Sequence, residues 1–362
     1  MKQIMIRTAA ALLAAVLLLP VRVNAISAGS AVLMDAKTGR ILYEKDPHNR
    51  HLIASTTKIM TALIVCEQCN VLDRMRIPKE AVGIEGSSMY LREGEVLTVQ
   101  ELLYGLMLHS GNDAAVALAI YCGGTVEGFV ELMNDKARTL GLSNTHFANP
   151  NGLDHPEHYS SAHDLAALAA YAMENPIFSK TVSTKTLTLG QRSMKNHNKL
   201  LWTVEGADGV KTGFTRAAGR VLVSSAVREG RRLIAVTIRD PNDWQDHKAL
   251  LDQGFRNYQL KQLVFSGQQL GERFVINGTE DSVAVFATAD FYYPVMADEQ
   301  ISVILSAPEF AYAPVSAGAE AGFAYVCIDD KAVGKVPIAY GQTIELRPIQ
   351  KQSFWNRLFG GM

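Results

Sequence analysis

This sequence lacks an excess of charge of either sign, internal repeats and long apolar runs. Its 362 residues carry 35 basic and 36 acidic side chains, which leaves a formal net charge of −1. Because proteins that bind nucleic acids present an excess of positive charge, this balance argues against a nucleic-acid partner. No segment repeats, and the one compositionally biased tract is the Ala- and Gly-rich stretch 316–322. The chain is long enough for two globular domains.

The apolar run near the N-terminus, residues 9–19, is too short to cross a bilayer, which takes about 20 residues. Lys2 and Arg7 precede this run, and the small residues Val23-Asn24-Ala25 follow it. A positive start, a short apolar stretch and a small-residue cleavage site are the three parts of a secretory signal peptide. We therefore predict that the protein is exported and that residues 1–25 are removed.

Cysteines are few, and two of the four form a C-x-x-C pair, Cys66 and Cys69, while Cys122 and Cys327 stand alone. Such a pair can be half of a zinc site or a redox centre, but no second pair and no matching histidine pair accompanies it. The pair ends an apolar, helix-like stretch, where cysteines commonly pack as small hydrophobic residues. We expect this packing role, with a local disulfide formed after export as the alternative. The chain is long enough to bury a core without a disulfide scaffold.

The first half of the exported chain predicts a hairpin followed by helices. Residues 31–34 and 41–43 are typical of two short strands joined by a turn. A helix is expected to begin near Ser55, where apolar residues recur at helical spacing. Thr98, followed three residues later by Glu101, predicts a capping box at another helix start. The helices predicted after Ser55 cover 99–108, 114–121, 126–140 and 162–173.

Beyond Gly206 the pattern changes to strands. Strands are predicted around Val210, at 221–223 and at 233–236, with a hairpin turn at 228–231, and a helix at 243–255. From about Leu263 only short β-like runs remain, at 274–276, 283–286, 301–304 and 323–326. Turn-forming residues separate these runs, which is typical of a small β-sandwich-like domain.

These patterns divide the chain into four predicted parts. They are a signal peptide over 1–25, a first domain over 26–260, a β-rich domain over 261–349 and a tail over 350–362. The tail places Phe354, Trp355, Leu358 and Phe359 on one helical face, beside Lys351 and Arg357. This arrangement predicts a short anchor at a membrane surface. The alternative is a frayed end that packs on the β-rich domain.

An S-x-x-K pattern, Ser55-Thr56-Thr57-Lys58, lies at a predicted helix start. Residues three apart on a helix share a face, so Ser55 and Lys58 can meet. A serine hydroxyl is a weak nucleophile that needs an adjacent base. Lysine can be that base when desolvation or a nearby positive charge disfavours its ammonium form. Alone, the pattern is equally compatible with a capped helix that carries a surface lysine.

Two further triplets change that balance. Ser110-Gly111-Asn112 lies where two predicted helices meet, and Lys211-Thr212-Gly213 precedes the strand at Val221. S-x-x-K, S-x-N and K-T-G in this order are the signature of penicillin-binding proteins and class A β-lactamases. K-T-G also occurs at Lys37-Thr38-Gly39, but that copy precedes the nucleophile and lies in a hairpin turn, where Gly39 has an ordinary turn role.

The chain closely resembles the low-molecular-mass penicillin-binding D-alanyl-D-alanine carboxypeptidases. The similar segments are ASTTKIMTA (54–62), GSSMYL (86–91), ELLYGL (101–106), NPNGL (149–153) and DGVKTG (208–213). The resemblance is strong from about Ala31 to Tyr258 and looser beyond. It implies a penicillin-binding-protein/β-lactamase-like α/β catalytic domain, with an antiparallel sheet and a helical half, followed by the small β-sandwich-like domain.

The resemblance also implies roles in catalysis. Ser55 is expected to be acylated by the penultimate D-alanine carbonyl, with release of the terminal D-alanine. Lys58 is expected to take the Ser55 proton, and Ser110 to relay a proton to the leaving amine. Water then hydrolyses the acyl-enzyme, and neither a metal nor an organic cofactor is implied.

Substrate-binding roles are implied for five more residues. Asn112 is expected to hold the substrate amide. Lys211 is expected to keep the local field positive and, with Thr212, to meet the terminal carboxylate, and Gly213 of the same triplet is expected to belong to the substrate-binding site. The N–H groups of Ser55 and Phe214 are expected to form the oxyanion hole. The implied partners are peptidoglycan stem peptides that end in D-Ala-D-Ala, and β-lactam antibiotics as covalent inhibitors.

One departure from the family concerns an arginine that often binds the terminal carboxylate from a neighbouring strand or loop. Asp240-Pro241-Asn242-Asp243-Trp244 occupies that region here. Arg216 and Arg239 are nearby candidates, and neither matches well. This departure bears on the substrate preference rather than on the type of reaction.

Two alternative functions and one alternative site fit the residues less well. A class A β-lactamase needs a glutamate for fast deacylation, and no E-x-x-L-N segment lies between Asn112 and Lys211. A non-catalytic penicillin-binding sensor is disfavoured only by the intact Ser110 and Asn112. The histidine- and aspartate-rich segment 154–164 resembles an ordinary loop of the family, and its spacing does not fit a zinc site.

Overall fold

The structure, a computed structural model, describes residues 26–348. The predicted signal peptide and the predicted tail lie outside the described residues. The described strands are β1 (Ser30–Asp35), β2 (Ile41–Lys45), β3 (Arg74–Arg76), β4 (Val96–Thr98), β5 (Thr186–Leu189), β6 (Arg192–Lys195), β7 (Ala207–Thr215), β8 (Gly219–Arg228), β9 (Arg231–Ile238), β10 (Gln259–Val264), β11 (Gln269–Ile276), β12 (Ser282–Ala287), β13 (Phe291–Val295), β14 (Ile301–Ser306), β15 (Phe310–Tyr312), β16 (Glu320–Ile328) and β17 (Lys331–Tyr340). The described α-helices are α1 (Lys58–Gln68), α2 (Val99–Leu108), α3 (Asn112–Gly123), α4 (Val126–Thr139), α5 (Ala162–Ala172), α6 (Pro176–Ser183), α7 (Leu200–Thr203) and α8 (Asp243–Asn257).

A five-stranded antiparallel sheet, in the order β2-β1-β9-β8-β7, organises the first part of the chain. Both of its faces are covered. In β1, Val32 and Met34 point into the core shared with the helical half, whereas Ala31 and Leu33 point into a second core that includes Leu250 of α8. Alternate residues of a strand face opposite sides, so a strand buried on both faces has few polar positions.

Helix α1 passes through the middle of the helical half. All residues from Lys58 to Cys66 are buried, which explains why every residue of this stretch except Lys58 and Thr61 is apolar. The capping box predicted at Thr98 is confirmed, since its hydroxyl accepts from the Glu101 N–H and the Glu101 side chain accepts from the Thr98 N–H. The predicted helices and central strands are confirmed to within a few residues.

Several short elements of the fold were not predicted from the sequence. Among them are the ribbon β3–β4, helix α6 and the hairpin β5–β6. The sequence does indicate the start of helix α6, because Asn175 is a favourable N-cap and Pro176 is the first helical residue. The other two are pairs of three- or four-residue strands, which are too short for a periodic pattern.

The C-terminal part consists of strands, as predicted. A six-stranded sheet has the order β14-β16-β17-β12-β11-β15, and β10 pairs with β13 in a separate ribbon. All neighbours in the larger sheet are antiparallel except β11 and β15. The predicted fold class, an α/β domain with an antiparallel sheet and a helical half followed by a smaller β domain, is confirmed.

Among residues 26–348, no single helix is long and apolar enough to cross a membrane. Helices α3 and α4 reach that length and apolarity only when taken together, and a bend of 84° separates them.

Arg40, at the start of the second strand of the first hairpin, joins the two parts. Its guanidinium donates to the Pro294 carbonyl and to the Glu299 carboxylate. It also lies 5.1 Å from the ring centre of Tyr258 and 5.2 Å from that of Tyr293. A largely buried guanidinium with ionic, carbonyl and aromatic partners is a strong local connection.

We therefore expect Arg40→Ala to loosen the C-terminal part. Limited proteolysis after Tyr258 should accelerate by roughly 10- to 100-fold, since loss of one partner leaves Glu299 with an unpaired and largely buried charge. Lys37→Ala is the matched control, because Lys37 lies exposed in the same hairpin and should change stability by at most about 0.5 kcal/mol. Equal proteolysis rates for the two variants would show that this contact does not hold the two parts together.

Candidate active site

Ser55 lies in a 3₁₀ turn, Ala54–Thr57, that runs directly into α1. Because Lys58 follows three residues later, its side chain folds back beside Ser55, and Lys58 Nζ lies 2.9 Å from Ser55 Oγ. Lys58 Nζ is also 2.6 Å from Asn112 Oδ1 and 2.5 Å from the Asn151 carbonyl oxygen. The Lys58 side chain is fully buried, whereas Ser55 is partly exposed.

The second triplet lies between α2 and α3, where the chain turns sharply. Ser110 has φ of 61°, a conformation that residues other than glycine adopt infrequently and that often marks functional sites. Asn112 is the first residue of α3, and its Nδ2 donates to the Glu85 carbonyl oxygen at 2.6 Å. This bond identifies the Asn112 amide nitrogen, so the atom that faces Lys58 is the amide oxygen.

The third triplet lies on β7, an edge strand of the five-stranded sheet. Lys211 is buried, and its Nζ donates to Ser110 Oγ at 3.1 Å and to the Thr212 carbonyl oxygen at 2.8 Å. A Cβ at position 213 would lie 3.0 Å from the Ile53 carbonyl oxygen and 3.2 Å from the Ser55 nitrogen, which is tighter than most Cβ contacts. Glycine therefore suits the close approach of β7 to the turn that carries Ser55.

Burial controls the charges of the two lysines. The pKa of Lys58 lies well below its usual value, first because burial disfavours the ammonium ion and second because Lys211 is nearby. The pKa of Lys211 falls to about 7, also through burial. Two lysines so close together cannot both be fully charged at neutral pH without a strong penalty, so one of them tends to be neutral.

A buried carboxylate organises the loop beside these residues. Asp113, next to Asn112, accepts from Ser88 Oγ at 2.7 Å and from the N–H groups of Met89 and Leu91 at 3.0 and 3.1 Å. These bonds fold the segment 86–91 over the start of α3. The segment thereby places Ser87 at the edge of the site.

A second supporting contact comes from the loop before α5. His158 is buried, and its Nε2 lies 2.7 Å from Thr57 Oγ1, while its Nδ1 accepts from the Ala148 N–H. Because Nδ1 is an acceptor, the ring is neutral, in accord with a pKa lowered to about 4 by burial. His158 therefore stabilises the turn that carries Ser55 through its hydrogen bond to Thr57.

These elements enclose a cavity of about 310 Å³. It is lined by Ser55, Ser87, Ser110, His197, Thr212, Gly213, Phe214, Arg220, Val221, Asp243 and Trp244. His197 also lines a neighbouring cavity of about 700 Å³, in which Lys195, Lys199 and Trp202 are found. The two cavities thus share a wall.

All eight residues selected from the sequence lie in or directly beneath the smaller cavity. Its walls contain Ser55, Ser110, Thr212, Gly213 and Phe214. Lys58, Asn112 and Lys211 lie buried behind them. The earlier K-T-G copy lies elsewhere, in the β1–β2 turn, where Gly39 has φ of 70°.

The carboxylate-binding arginine suggested by the sequence has a different candidate in the structure. Neither Arg216 nor Arg239 lines the cavity, whereas Arg220 does. Arg220 pairs with Phe214 across β7 and β8, and its guanidinium donates twice to Asp243 and lies 5.6 Å from the Trp244 ring centre. A signal in the sequence existed, since Arg220 lies at the start of the strand that follows K-T-G, but the pairing register was needed to place it.

Two family models match the chain. Residues 19–242 match the model described as D-alanyl-D-alanine carboxypeptidase, and residues 258–346 match the C-terminal domain of penicillin-binding protein 5. Among curated relatives, the D-alanyl-D-alanine carboxypeptidase DacF of Bacillus subtilis is 33% identical over 328 residues, which cover 86% of this chain and 84% of that protein. DacD of Escherichia coli is 35% identical over 92% of this chain and 89% of its own length.

Solved structures agree with these matches. Penicillin-binding protein 5 of Haemophilus influenzae superposes with a TM-score of 0.75 at 32% identity, covering 88% of this chain and 98% of that one. The Streptomyces K15 DD-transpeptidase superposes with a TM-score of 0.62 at 36% identity, covering 64% of this chain and 98% of its own. The chain therefore belongs to the family of D-alanyl-D-alanine carboxypeptidases that are low-molecular-mass penicillin-binding proteins.

Proposed function

We propose that this protein is a serine-type carboxypeptidase that removes the terminal D-alanine from peptidoglycan stem peptides through an acyl-enzyme on Ser55. The observation that carries the proposal is the fully buried Lys58 amine, 2.9 Å from the Ser55 hydroxyl oxygen at the base of an open cavity. A serine needs a base within hydrogen-bond distance to act as a nucleophile. Lys58 is the titratable group that meets this requirement among the side chains described around Ser55.

The groups around Lys58 favour its neutral form and orient its lone pair toward the Ser55 hydroxyl. A neutral lysine amine has two N–H donors and one lone pair. The Asn112 side-chain oxygen and the Asn151 carbonyl oxygen can only accept, so they take the two N–H groups. The lone pair is then left for the remaining neighbour, the Ser55 hydroxyl, which donates to it. This is the arrangement in which Lys58 can remove the proton from Ser55.

Acylation then follows from the positions of the groups. Ser55 Oγ forms a bond to the carbonyl carbon of the penultimate D-alanine as its proton passes to Lys58. The N–H groups of Ser55 and Phe214 stabilise the developing oxyanion. The carbon–nitrogen bond breaks as Ser110 gives its proton to the leaving amine of D-alanine and takes the proton held by Lys58 in its place. Lys211, whose Nζ donates to Ser110 Oγ at 3.1 Å, holds this hydroxyl and favours its proton transfer.

Hydrolysis completes the cycle. A water molecule attacks the ester carbonyl as one of its protons passes to the neutral Lys58 amine. The bond between the carbonyl carbon and Ser55 Oγ then breaks, and Lys58 returns the proton to Ser55. Asn112 keeps the substrate amide oriented through both steps. Each step therefore needs Lys58 to alternate between neutral and charged forms, which is easiest when its pKa is well below the usual value for lysine.

The terminal carboxylate of the substrate would lie at Lys211 and Thr212, with Arg220 beside them. Asp243 fixes the Arg220 guanidinium by two hydrogen bonds, so the arginine offers an oriented donor rather than a free charge. The larger neighbouring cavity, which His197 connects to the first, has room for the preceding part of a stem peptide.

β-Lactam antibiotics are proposed as covalent inhibitors of the same serine. Fast hydrolysis of the antibiotic is disfavoured, because class A β-lactamases use a glutamate to activate water. Asp243 is the one carboxylate among the described residues that line the cavity, and its oxygens already accept from Arg220. A carboxylate held in this way is a poor base for water.

The proposed setting is the outer side of the cytoplasmic membrane or the cell-wall space. The signal-peptide pattern of residues 1–25 and the apolar face of the tail support export followed by loose attachment to a membrane surface. The proposed division remains a catalytic domain over 26–260, a β-rich domain over 261–349 and the tail over 350–362.

The first test uses Ser55→Ala. The purified variant should lose covalent labelling by a fluorescent penicillin and should release D-alanine from diacetyl-Lys-D-Ala-D-Ala at least about 10⁴-fold more slowly than the unchanged protein. Persistent labelling of Ser55→Ala would identify another nucleophile. An unchanged protein that is labelled but releases no D-alanine would instead be a sensor.

The second test is the pH dependence of kcat/KM for that peptide. Because Lys58 must be neutral, activity should rise with pH through a pKa well below the usual lysine value, and because Lys211 should be charged, activity should fall again above its pKa of about 7. Lys211→Arg retains a charge at all these pH values, so its alkaline limb should shift upward by at least about two pH units. An alkaline limb that is identical in Lys211→Arg would assign the limb to another group.

The third test concerns the tail. Removal of residues 350–362 should release the exported protein from membranes while D-alanine release from small peptides stays within about two-fold of normal. Two helical turns of apolar surface give only weak, reversible binding. A full-length protein that sediments no better with anionic lipid vesicles than the shortened one would end the anchor hypothesis.

A further inference from the structure

Two half-buried cysteines meet at the end of the helical half that faces away from the cavity. Cys69 is the C-terminal cap of α1, and its N–H donates to the Val65 carbonyl oxygen at 3.0 Å. Cys122 lies in the last turn of α3. The Cys122 sulfur lies 3.9 Å from Oε1 of Gln68, the residue that precedes Cys69. The neighbouring Cys69 thiol lowers the pKa of the Cys122 thiol.

A second contact crosses the same junction. The Tyr121 hydroxyl, next to Cys122 in sequence, donates to Asp73 Oδ2 at 2.8 Å. Asp73 follows Cys69 by four residues and lies in the turn after α1. Two neighbouring contacts between the same two segments hold the cysteines opposite each other in the reduced protein.

The geometry favours a pairing other than the Cys66–Cys69 alternative considered from the sequence. Cys66 is buried in the core, and burial raises the pKa of its thiol to about 12, so it resists forming the reactive thiolate. Cys69 instead lies at the junction with Cys122 that the Gln68 and Tyr121 contacts define, and its thiol lowers the pKa of the Cys122 thiol. Cys122 is thus the better nucleophile of the facing pair.

We propose that Cys69 and Cys122 form a disulfide that fastens the end of α1 to the end of α3. Oxidation would come from a disulfide-bearing exchange partner. The Cys122 thiolate attacks one sulfur of that disulfide and expels the other as a thiolate. The Cys69 thiolate then attacks the Cys122 sulfur of the mixed disulfide, which releases the second thiolate. The protein loses two thiol protons and two electrons, and the partner is reduced to two thiols.

The position of this bond gives it a structural role. Helices α1 and α3 carry Lys58 and Asn112 at their other ends, where Lys58 Nζ lies 2.6 Å from Asn112 Oδ1. A helix of eleven residues is roughly 16 Å long, so the disulfide would lie well away from the reacting atoms. It would secure the far ends of the two helices and leave the chemistry at Ser55 unchanged.

The test compares the full-length protein after incubation with oxidised glutathione and after incubation with a reductant. In the oxidised sample, alkylation under denaturing conditions should modify two fewer thiols, and peptide mapping should find Cys69 joined to Cys122. The midpoint of thermal unfolding should rise by roughly 5–10 °C on oxidation. Neither readout depends on enzymatic activity, so failure of the proposed carboxypeptidase function would leave this test intact.

Variants distinguish the pair from its neighbours. Cys122→Ser should abolish both the cross-link and the change in unfolding temperature, whereas Cys66→Ser should retain both. Cys327→Ser, in the C-terminal sheet, is a second control that should retain both. Four alkylated thiols after oxidation, or a peptide that joins Cys66 to Cys69, would overturn the proposal.

Discussion

The buried amine of Lys58 is the constraint on which the rest of the site depends. Burying an ammonium ion is costly unless its charge is compensated, and here the nearest partners are neutral oxygens and the nearby charge of Lys211 has the same sign. Loss of a proton relieves that cost. In the proposed mechanism, this loss lets Lys58 act as a base at the position where the Ser55 proton must go.

The surrounding structure keeps this amine buried without closing the cavity. Gly213 lets β7 approach the nucleophile turn, and Gly152, with φ of 88°, lies so close to the turn that a Cβ would be 2.0 Å from the Ala54 carbonyl oxygen. Asp113 secures the opposite wall through the segment 86–91. At Gly213 and Gly152 the backbone makes close contacts with the turn that carries Ser55, and larger side chains would push these segments apart.

The candidate site could be predicted from the sequence where chemistry and local geometry coincide. S-x-x-K, S-x-N and K-T-G each place their residues through a turn, a helix start or a strand, so their spacing and their order along the chain select Ser55, Lys58 and Lys211. The sequence alone did not identify a residue whose proximity to the site depends on sheet register. Arg220 reaches the cavity because it pairs with Phe214 across two strands, and no spacing along the chain encodes that pairing without the fold.

The same contrast, between local determinants and long-range packing, explains which elements of the fold were predicted. The capping box at Thr98 and the apolar stretch of α1 determine their helices locally, and both predictions were confirmed. The pairs β3–β4 and β5–β6 have strands of only three or four residues, which form because long-range packing brings them together. The Cys69–Cys122 contact belongs to this second class, since it joins helices whose contacting ends lie far apart along the chain.

The most direct test of the central claim is the titration of Lys58 itself. In protein labelled with ¹³C at the lysine ε-carbons, the Lys58 resonance, assigned by its loss in Lys58→Arg, should report a pKa well below the usual lysine value of about 10.4. Lys211→Met, which removes the neighbouring charge, should raise the Lys58 pKa toward the usual lysine value. A Lys58 resonance that titrates together with the surface lysines would contradict the claim that burial makes this residue the base.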